Sequence, residues 1–371
     1  MKIAYIAVKG MPSGGGIETF TEGLGARLVE KGHEVTVYTI QHYGAPDGYY
    51  RGMRIRAVPT VKSRSFEKLH VWVSSTLEEA RRKDTDVIHY HAFGSAAFSS
   101  LPRARGICVI QQGHGLEWMR SKWRLGARSV LKVLEMVSVR SAYALTVPSR
   151  VQQQYLMRQY GIASTYIPYG ISSPVFEPPN LIRQYGLSGG DYVLFAARLV
   201  REKGAHYLIE AFNRVNPDIK LVIAGDAMYE ETYKAELREL AANNPRIIFT
   251  GFVTGRLLHE LFSNCYLFVL ASEIEGLSIV LLEAMSYGNC CLVSDIPENL
   301  EAINGLGYSF KNKDVGDLAQ KLSQLVDSNE AARELKSAAG AYIRNTLAWD
   351  RIADEFEAFY LKVLNGLDRN P

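Results

Sequence analysis

Short apolar runs alternate with helical patterns along the whole chain. In the first half, IETFTEGLGARLVEKG (17–32) has apolar residues at helical spacing and ends at a glycine. Strands that alternate with helices in this way are typical of a parallel sheet with crossover helices. The runs predicted as strands are rich in β-branched and aromatic residues: KIAYIAV (2–8), EVTVYTI (34–40), DVIHYH (86–91), ICVIQQ (107–112) and ALTVPS (144–149).

The second half repeats this rhythm. Its predicted strands are DYVLFAA (191–197), IKLVIAG (219–225), RIIFTGF (246–252), LFVLA (267–271) and CCLVSD (290–295). Its predicted helices are AHYLIEAFNRV (205–215), ETYKAELRELAANN (231–244), RLLHELFSNC (256–265) and the helix that EGLSIVLLEA (275–284) enters. Each half is therefore predicted to be a doubly wound α/β domain. Such sheets bind ligands outside the carboxyl ends of their strands, so the loops that follow strands should carry the chemistry.

A proline-rich stretch separates the two halves. IPYGISSPVFEPPN (167–180) contains four prolines and has no periodicity. We expect an N-terminal domain of residues 1–168, a linker of residues 169–180 and a C-terminal domain of residues 181–349. The helical spacing near the end predicts a further helix, over about 350–371, that crosses back to the first domain.

Composition narrows the class of protein. Of the 371 residues, 47% are hydrophobic and 22% are charged, as in soluble globular proteins. The first apolar run is too short for a signal peptide, and no run reaches the roughly 18 apolar residues of a membrane span. The four cysteines lack metal-binding or disulfide spacing, so reduced core cysteines in a cytoplasmic protein are expected.

Charge is divided unevenly along the chain. Residues 1–190 carry 24 Lys and Arg against 13 Asp and Glu, whereas residues 191–371 carry 18 against 26. The basic first half is therefore expected to meet an anionic ligand or surface.

Two loops after predicted strands could bind phosphate. In KGMPSGGGIETF (9–20), the backbone N–H groups of Gly15 and Gly16 lie at a helix start, where an anion is favoured. The dinucleotide and P-loop fingerprints are absent, and an ordinary flexible turn explains this loop equally well. In AARLVREKG (196–204), Arg198 and Lys203 could hold a diphosphate, although most such runs are solvated charged loops.

Two glutamates bracket the apolar run EGLSIVLLEA. Glu275 would lie just before a helix that begins near Leu277 or Ser278, and Glu283 would lie inside it. A carboxylate in an apolar helix needs partners, because its unpaired desolvation costs several kcal/mol. Sugar and ribose hydroxyls would be suitable donors, but a helix cap plus a buried ion pair explains the spacing equally well.

A histidine follows another predicted strand. His114 is flanked by glycines in GHGLEW (113–118), which suits an imidazole that projects from the strand end. A structural histidine is the alternative.

These four loops, in this order, resemble those of glycosyltransferase family 4. The matching motifs are GGGIETF, HGLEW, ARLVREKG, the E-x7-E pair of Glu275 and Glu283, VPSR (147–150), IPYG (167–170) and GFV (251–253). The resemblance implies the GT-B architecture, in which two Rossmann-like domains face each other across a cleft. KGMPSGGGIETF, HGLEWMRSKW and YIPYG are similar to the branch that contains bacterial rhamnosyltransferases of polysaccharide synthesis. GHGLEW departs from that branch at its start, which leaves the sugar open.

The resemblance implies a retaining, metal-independent transferase whose donor is a nucleotide diphosphate sugar and which has no cofactor. Arg198 and Lys203 would neutralise the diphosphate, Glu283 would bind the ribose hydroxyls, and Glu275 the hydroxyls of the donor sugar. His114 would hydrogen-bond the sugar ring. The implied catalytic residues are His114, Glu275, Arg198 and Lys203, and the implied donor-binding residues are Gly15, Gly16, Arg198, Lys203, Val253, Glu275, Gly276, Leu277, Ser278 and Glu283.

The expected reaction moves a hexose, rhamnose being one candidate, to a glycan or lipid-linked acceptor in polysaccharide or glycoconjugate biosynthesis. A small soluble acceptor and a nucleotide-sugar epimerase are the alternatives. A dinucleotide-dependent module and a nucleic-acid-binding protein lack their motifs.

Two patterns could suggest a metal. Asp84-Thr85-Asp86 spells DxD, the signature of metal-dependent transferases, but it precedes a strand at the amino end, away from the expected site. His89 and His91 alternate onto one strand face without a third ligand nearby, so a role in the core or behind the site is favoured.

The segment 119–140 alternates basic and apolar residues with a tryptophan near its start. Such a cationic amphipathic helix can lie on anionic lipid, which would place the protein on the inner face of the cytoplasmic membrane. A core-packed helix with a solvated face is the slightly favoured alternative.

Overall fold

The computed structural model divides the chain into two compact units. The first comprises Met1–Gly170 and Leu347–Pro371, and the second comprises Ile171–Thr346. The structure describes residues 1–12, 14–60, 66–82, 84–120, 123, 125–215, 218–227, 231–327 and 329–368.

Strands and helices alternate through most of both units. The strands are β1 (Lys2–Ile6), β2 (Glu34–Ile40), β3 (Gly48–Tyr50), β4 (Met53–Val58), β5 (Val87–His91), β6 (Cys108–Gln112), β7 (Ala144–Val147), β8 (Thr165–Tyr166), β9 (Tyr192–Ala196), β10 (Lys220–Ala224), β11 (Ile247–Gly251), β12 (Leu267–Leu270), β13 (Cys290–Ser294) and β14 (Tyr308–Phe310). The helices are α1 (Gly16–Glu30), α2 (Phe66–Arg81), α3 (Ser100–Arg103), α4 (Leu125–Ser141), α5 (Arg150–Tyr160), α6 (Ala205–Val215), α7 (Glu231–Ala241), α8 (Gly255–Asn264), α9 (Ile279–Ser286), α10 (Pro297–Ile303), α11 (Val315–Asp327), α12 (Asn329–Thr346) and α13 (Trp349–Asp368).

Each unit is built on one twisted sheet. The strand order is β3-β4-β2-β1-β5-β6-β7-β8 in the first unit and β11-β10-β9-β12-β13-β14 in the second. Every pairing in the second sheet is parallel, and β9, β12 and β13 are buried along their whole length. Strands covered on both faces give the near-continuous apolar runs seen in the sequence. The predicted fold class of two doubly wound α/β domains is confirmed.

One edge of the first sheet is not parallel. β3 and β4 form an antiparallel hairpin, and the turn residues Arg51 and Gly52 have φ of 48° and 77°. The apolar pattern does not predict these strands, because arginines alternate with the apolar residues of β4. The expectation of purely parallel pairing is therefore wrong at this edge.

The last helix packs in the first unit, against α1. Arg27 Nε donates to Asp350 Oδ1 at 2.7 Å. The indole of Trp349 lies against two glycines: a Cβ added at Gly23 of α1 would be 2.2 Å from the ring, and one added at Gly170 would be 2.3 Å from it. Glycine is therefore the only residue that fits at these two positions without moving the indole.

The segment predicted as a linker is divided between the units. Tyr169 and Gly170 belong to the first unit and residues 171–180 to the second. The backbone N–H groups of Asn180, Leu181 and Ile182 donate to one oxygen of the buried Glu260 of α8, at 2.5 to 3.2 Å. The end of this segment is thus fixed to the second unit.

Candidate functional site

The second sheet reverses its winding direction between β9 and β12. Chain connections leave these neighbouring strands toward opposite sides, which opens a crevice at their carboxyl ends where ligands bind in such folds. Lys203 lies in the loop after β9 and Glu275 in the loop after β12, and their side chains form an ion pair. The lysine side chain is 14% exposed and the glutamate side chain 8%. The structure thus brings two of the predicted site residues together at this crevice.

Two close backbone approaches hold these loops in register. Glu273 N–H donates to Glu202 O at 2.8 Å. Gly204 has φ of +71°, and a Cβ there would lie 2.0 Å from the carbonyl oxygen of Ala271. The loop of Lys203 and the loop of Glu275 therefore behave as one packed unit.

Glu273 braces the same loop from its other side. Its Oε1 accepts a hydrogen bond from Tyr207 of α6 at 2.8 Å, and its Oε2 pairs with Lys313, after β14, at 2.7 Å. Glu275 is thus held by Lys203 directly and by the fixed position of Glu273 two residues earlier.

Arg198 is exposed in the loop that leaves β9. A neighbouring contact shapes this loop: Gly225, after β10, has φ of +147°, and a Cβ there would lie 1.9 Å from the carbonyl oxygen of Ala197. Leu199 N–H also donates to Asp226 O at 3.0 Å. The structure thus places Arg198, like Lys203, at the carboxyl end of the second sheet.

The α9 helix begins close to the predicted start near Leu277 or Ser278. Ser278 is its N-cap and Ile279 its first residue, so Gly276 and Leu277 lie in the preceding loop. The first N–H groups of any helix lack intrahelical partners, and those of α9 follow directly from this loop. Donor binding by Gly276, Leu277 and Ser278 stays a prediction.

Glu283 lies in the second turn of α9 and keeps partial exposure to solvent. Desolvation by the surrounding protein raises its pKa to about 7. In the part of the chain that the structure describes, no basic side chain forms an ion pair with it. Near neutral pH both protonation states are populated, so this carboxyl group can donate a hydrogen bond as well as accept one. Of the two glutamates of the E-x7-E pair, Glu275 therefore has an ion partner, and Glu283 has none among the described residues.

Glu298 is a site residue that the sequence reasoning missed. It lies in the first turn of α10, after β13, and is partly buried. Burial raises the pKa of Glu298, and the negative charge of Glu275, at the same end of the sheet, adds to the rise. The signal available in the sequence was DIPE, a proline and a carboxylate directly after a buried strand.

The first sheet reverses between β1 and β5. Gly15 is the N-cap of α1 and Gly16 its first residue, as the glycine-rich motif suggested. The buried carboxylate of Glu18 accepts Lys9 N–H at 2.9 Å, and a Cβ at Gly15 would lie 2.0 Å from its Oε2. One acid therefore already occupies the space beside Gly15, whereas a Cβ at Gly16 would meet nothing within 4 Å. Phosphate binding by these two amides stays a prediction.

His114 is tied into the first unit through both ring nitrogens. Its Nε2 lies 3.0 Å from His91 Nδ1, and its Nδ1 lies 2.7 Å from the Tyr169 hydroxyl. Burial, with a smaller contribution from the nearby His89, lowers the pKa of His114 to about 3, so the ring is neutral at physiological pH. A hydrogen bond from His114 to a donor sugar stays a prediction, and it requires one of these two bonds to be exchanged.

Val253 and the DxD sequence lie apart from the ion pair of Lys203 and Glu275. Val253 follows β11, two strands away from β9, at the carboxyl end of the second sheet. The two aspartates of the DxD sequence bind Lys2: its Nζ donates to Asp84 and its backbone N–H to Asp86, both within 2.8 Å. They join β1 to β5 at the amino end of the sheet. Among the described residues, no three His, Cys, Asp or Glu side chains are grouped closely enough to hold a metal ion.

Comparison with known proteins agrees with this architecture. A family model described as Glycosyltransferase Family 4 matches residues 14–173, and one described as Glycosyl transferases group 1 matches residues 179–341. An uncharacterised glycosyltransferase of Methanocaldococcus jannaschii is 27% identical, with 100% of each chain covered. N-acetyl-α-D-glucosaminyl L-malate synthase of Bacillus anthracis is 24% identical, with 98% of each chain covered.

Solved structures show the same fold. Sucrose-phosphate synthase from Thermosynechococcus elongatus has a TM-score of 0.85 at 20% identity, covering 98% of this chain and 99% of that one. Anabaena HepE, solved in complex with UDP and glucose, has a TM-score of 0.80 at 18% identity, covering 97% and 99%. The resemblance to family 4 is confirmed, while the rhamnosyltransferase branch stays a prediction. The chain is a glycosyltransferase of the GT-B fold and of the family 4 type, its first unit matching the family 4 model and its second the group 1 model.

Proposed function

We propose that this glycosyltransferase is a retaining, metal-independent enzyme that moves a hexose from a nucleotide diphosphate sugar to a glycan or lipid-linked acceptor in polysaccharide biosynthesis. The observation that carries the donor assignment is the ion pair of Lys203 and Glu275 at the strand-order reversal of the second sheet, with Arg198 on the same edge. Anabaena HepE, of the same fold, binds UDP and glucose, which supports a uridine nucleotide as one candidate donor. Rhamnose is one candidate sugar, suggested by the partial motif resemblance to the rhamnosyltransferase branch.

The ion pair prepares the site for a diphosphate. An ammonium group has three donors, so Lys203 can keep one hydrogen bond to Glu275 while it offers others to phosphate oxygens. Arg198 would add a second cation. Negative charge grows on the departing phosphate in the transition state, and cations already in place stabilise it without reorganisation.

The remaining carboxyl groups would hold hydroxyls. Glu275 would accept hydrogen bonds from the donor sugar. Glu283, with its pKa near 7, could donate to one ribose hydroxyl and accept from the other. In the proposed front-face reaction the bond from C1 to the phosphate oxygen breaks and the bond from C1 to the acceptor oxygen forms on the same face. The acceptor proton passes to the departing phosphate, so no carboxylate nucleophile is needed.

A thermal-shift screen of UDP-, dTDP- and GDP-sugars tests the donor. We expect one nucleotide series to raise the unfolding temperature, because a ligand at 100 times its Kd stabilises the folded state by about 2.7 kcal/mol. The Glu283→Ala variant should lose most of that shift, and EDTA should leave both the shift and the turnover of the matching donor unchanged. The absence of a shift with every nucleotide sugar would contradict the donor class, and a requirement for added Mg²⁺ or Mn²⁺ would contradict the metal-free mechanism.

We also propose that α4 lies on an anionic membrane. Leu125, Val130 and Val133 are 82%, 59% and 54% exposed, and Lys132 and Arg140 are exposed among them. In the predicted segment 119–140, residues 121, 122 and 124 lie outside the described part of the chain. No helix of the described residues is long and apolar enough to cross a membrane. An apolar helix face with basic side chains instead suits the interface of an anionic bilayer.

The other face of α4 shows where its single acidic residue goes. Glu135 is buried and accepts hydrogen bonds from Tyr155 at 2.6 Å and Tyr160 at 2.7 Å. The solvent face of the helix therefore carries no negative charge to repel anionic lipid. Contact with the bilayer would bring the enzyme to a lipid-linked acceptor.

Co-sedimentation with vesicles tests this docking. We expect binding to vesicles that contain phosphatidylglycerol, weakened by salt, because each basic residue near the surface contributes about 1 kcal/mol. The Val130→Ser, Val133→Ser double variant should lose binding, whereas Tyr49→Ser, at another exposed position of the same unit, should not. Equal binding to neutral vesicles would refute the electrostatic part. Loss of a dimer in the double variant, with no vesicle binding by the parent, would assign the face to a second copy of the chain.

A further inference from the structure

A hydrogen-bonded row of polar side chains runs through His114 in the first unit. His114 follows β6, His91 is the last residue of β5, and Thr21 lies in the second turn of α1. His91 Nδ1 is 3.0 Å from His114 Nε2, and His91 Nε2 is 3.4 Å from the Thr21 hydroxyl. At the other side of His114, the Tyr169 hydroxyl is 2.7 Å from Nδ1. Four side chains from separate segments thus form one hydrogen-bonded row.

The distances decide the direction of every hydrogen bond. The Thr21 hydroxyl donates its proton to Ile17 O at 2.8 Å, a much shorter contact than the 3.4 Å to His91. Thr21 Oγ1 is therefore an acceptor toward His91, so His91 Nε2 carries the proton. His91 Nδ1 is then unprotonated, because a neutral imidazole has one N–H group and one lone pair.

The same pattern of donors and acceptors determines the tautomer of His114. Its Nε2 must donate to the unprotonated His91 Nδ1, which leaves His114 Nδ1 as an acceptor for the Tyr169 hydroxyl. Burial lowers the pKa of His91 well below its usual value and that of His114 to about 3, so neither ring carries a second proton. Phe20 packs edge-on against both rings, with centroids 5.7 Å from His91 and 5.4 Å from His114. This apolar packing disfavours an imidazolium in either position.

Both ends of the row are anchored to one indole. Thr21 precedes Gly23 on α1, and Tyr169 precedes Gly170, and these two glycines are the ones that lie against Trp349. The indole therefore fixes the backbone near Tyr169, the first donor of the row, and near Thr21, its last acceptor. This gives the IPYG motif a role of its own: the glycine admits the indole, and the tyrosine holds the histidine.

We propose that Tyr169 and His91 are positioning residues that hold His114 in a single orientation and as the neutral Nε2–H tautomer for sugar transfer. The inference rests on the proposed function and on the predicted hydrogen bond from His114 to the donor sugar. A neutral ring bonded at both nitrogens keeps one orientation until a donor hydroxyl replaces one of the two partners, and it does not titrate between pH 5 and 8. A misplacement of about 1 Å in a reacting group can cost roughly a hundredfold in rate, so the two anchors should matter for turnover.

Nitrogen-15 NMR of the histidine rings tests the structural half. We expect His91 and His114 both to give the spectrum of the neutral Nε2–H tautomer at pH 7, with assignments made from the single-histidine variants. A protonated Nδ1 on His114, or an imidazolium signal from His91 or His114, would overturn the proposal.

Matched variants of His91 test the positioning role. In His91→Asn the side-chain oxygen can take the place of Nδ1 and accept from His114, whereas His91→Leu offers no acceptor. We expect His91→Leu and Tyr169→Phe to lower kcat by about 10- to 100-fold with little change in donor KM, and His91→Asn to recover most of the loss. Equal losses in the asparagine and leucine variants, or no loss in either, would refute the positioning role, with unfolding temperatures recorded to exclude misfolded samples.

His114→Ala separates this inference from the function on which it rests. If that variant loses turnover and His91→Leu does not, the assigned function stands and the positioning role is wrong. If His114→Ala turns over as fast as the parent, the role of His114 in transfer is wrong, and the positioning role is wrong with it.

Discussion

Exchange of Lys203 for methionine should lower kcat by about two to three orders of magnitude, the size of effect seen when one preorganised group at a developing charge is removed. Lys203 lies at the strand-order reversal of the second sheet and pairs there with Glu275. Without the ammonium group, charge on the departing diphosphate would lose a cation that we propose stabilises it. Steady-state kinetics with the donor identified by the thermal-shift screen would measure the change.

The same variant should also be less stable. Glu275 is left almost buried without its counter-charge, and breaking a buried ion pair by removing one partner costs roughly 3 kcal/mol. The double variant Lys203→Met, Glu275→Gln should recover most of the unfolding free energy but none of the turnover, which separates the two effects. Lys220→Met is the matched control, because Lys220 pairs with Asp191 at the amino end of the same sheet. Turnover by Lys203→Met within about threefold of the parent would exclude a role in leaving-group stabilisation.

Replacing Gly204 by alanine should destabilise the second unit by roughly 4 kcal/mol or more, an effect large enough to need a named cause. The first cause is the left-handed backbone, φ +71°, which costs a residue with a Cβ about 1 to 2 kcal/mol. The second is the added carbon itself, which would lie 2.0 Å from the carbonyl oxygen of Ala271, so one of two backbone segments must move. For a unit of this size the loss corresponds to a fall of roughly 10 °C in unfolding temperature, measured by calorimetry.

Gly190→Ala provides the comparison that isolates the clash. Gly190 has φ of +73°, nearly the same as Gly204, but a Cβ there meets nothing within 4 Å. It should cost only the 1 to 2 kcal/mol of backbone strain. If the two variants unfold at the same temperature, the contact between the Lys203 loop and the Glu275 loop is softer than the structure indicates.

The sequence allows the central strands of the sheets to be predicted better than the edge strands. Strands β9, β12 and β13 are covered on both faces, and such burial leaves apolar runs that read directly as strands. The β3–β4 hairpin lies at a sheet edge, where alternate arginines face solvent and break the run. The sequence also carries an unused signal for α11, because Leu318, Leu322 and Leu325 follow helical spacing and are buried. Patterning thus reports burial, and it is weakest where an element is half exposed.

The candidate site shows a similar division. Loops after strands are readable, and Lys203 and Glu275 follow from that rule. Their pairing is not readable, because the two residues are 72 positions apart and become neighbours only through the order of strands in the sheet. The contact between His91 and His114 depends in the same way on the order of strands β5 and β6 in the first sheet. Glu18 shows the opposite case: a carboxylate three residues from Gly15 takes space that the glycine pattern alone suggests is left for phosphate.

The place of α13 in the first unit has a consequence for biosynthesis. The hydroxyl of Tyr360 on this helix lies 2.6 Å from Nδ1 of His89 on β5, and Phe356 packs against His89 and Phe20. A ribosome makes residues 1–170 first, then the whole of the second unit, and only afterwards the helix that covers His89. The second unit, contiguous in sequence, can thus finish folding while the first still exposes an uncovered sheet face. For a multidomain chain that is the period of greatest risk of aggregation, and it ends once α13 has emerged and packed against the first unit.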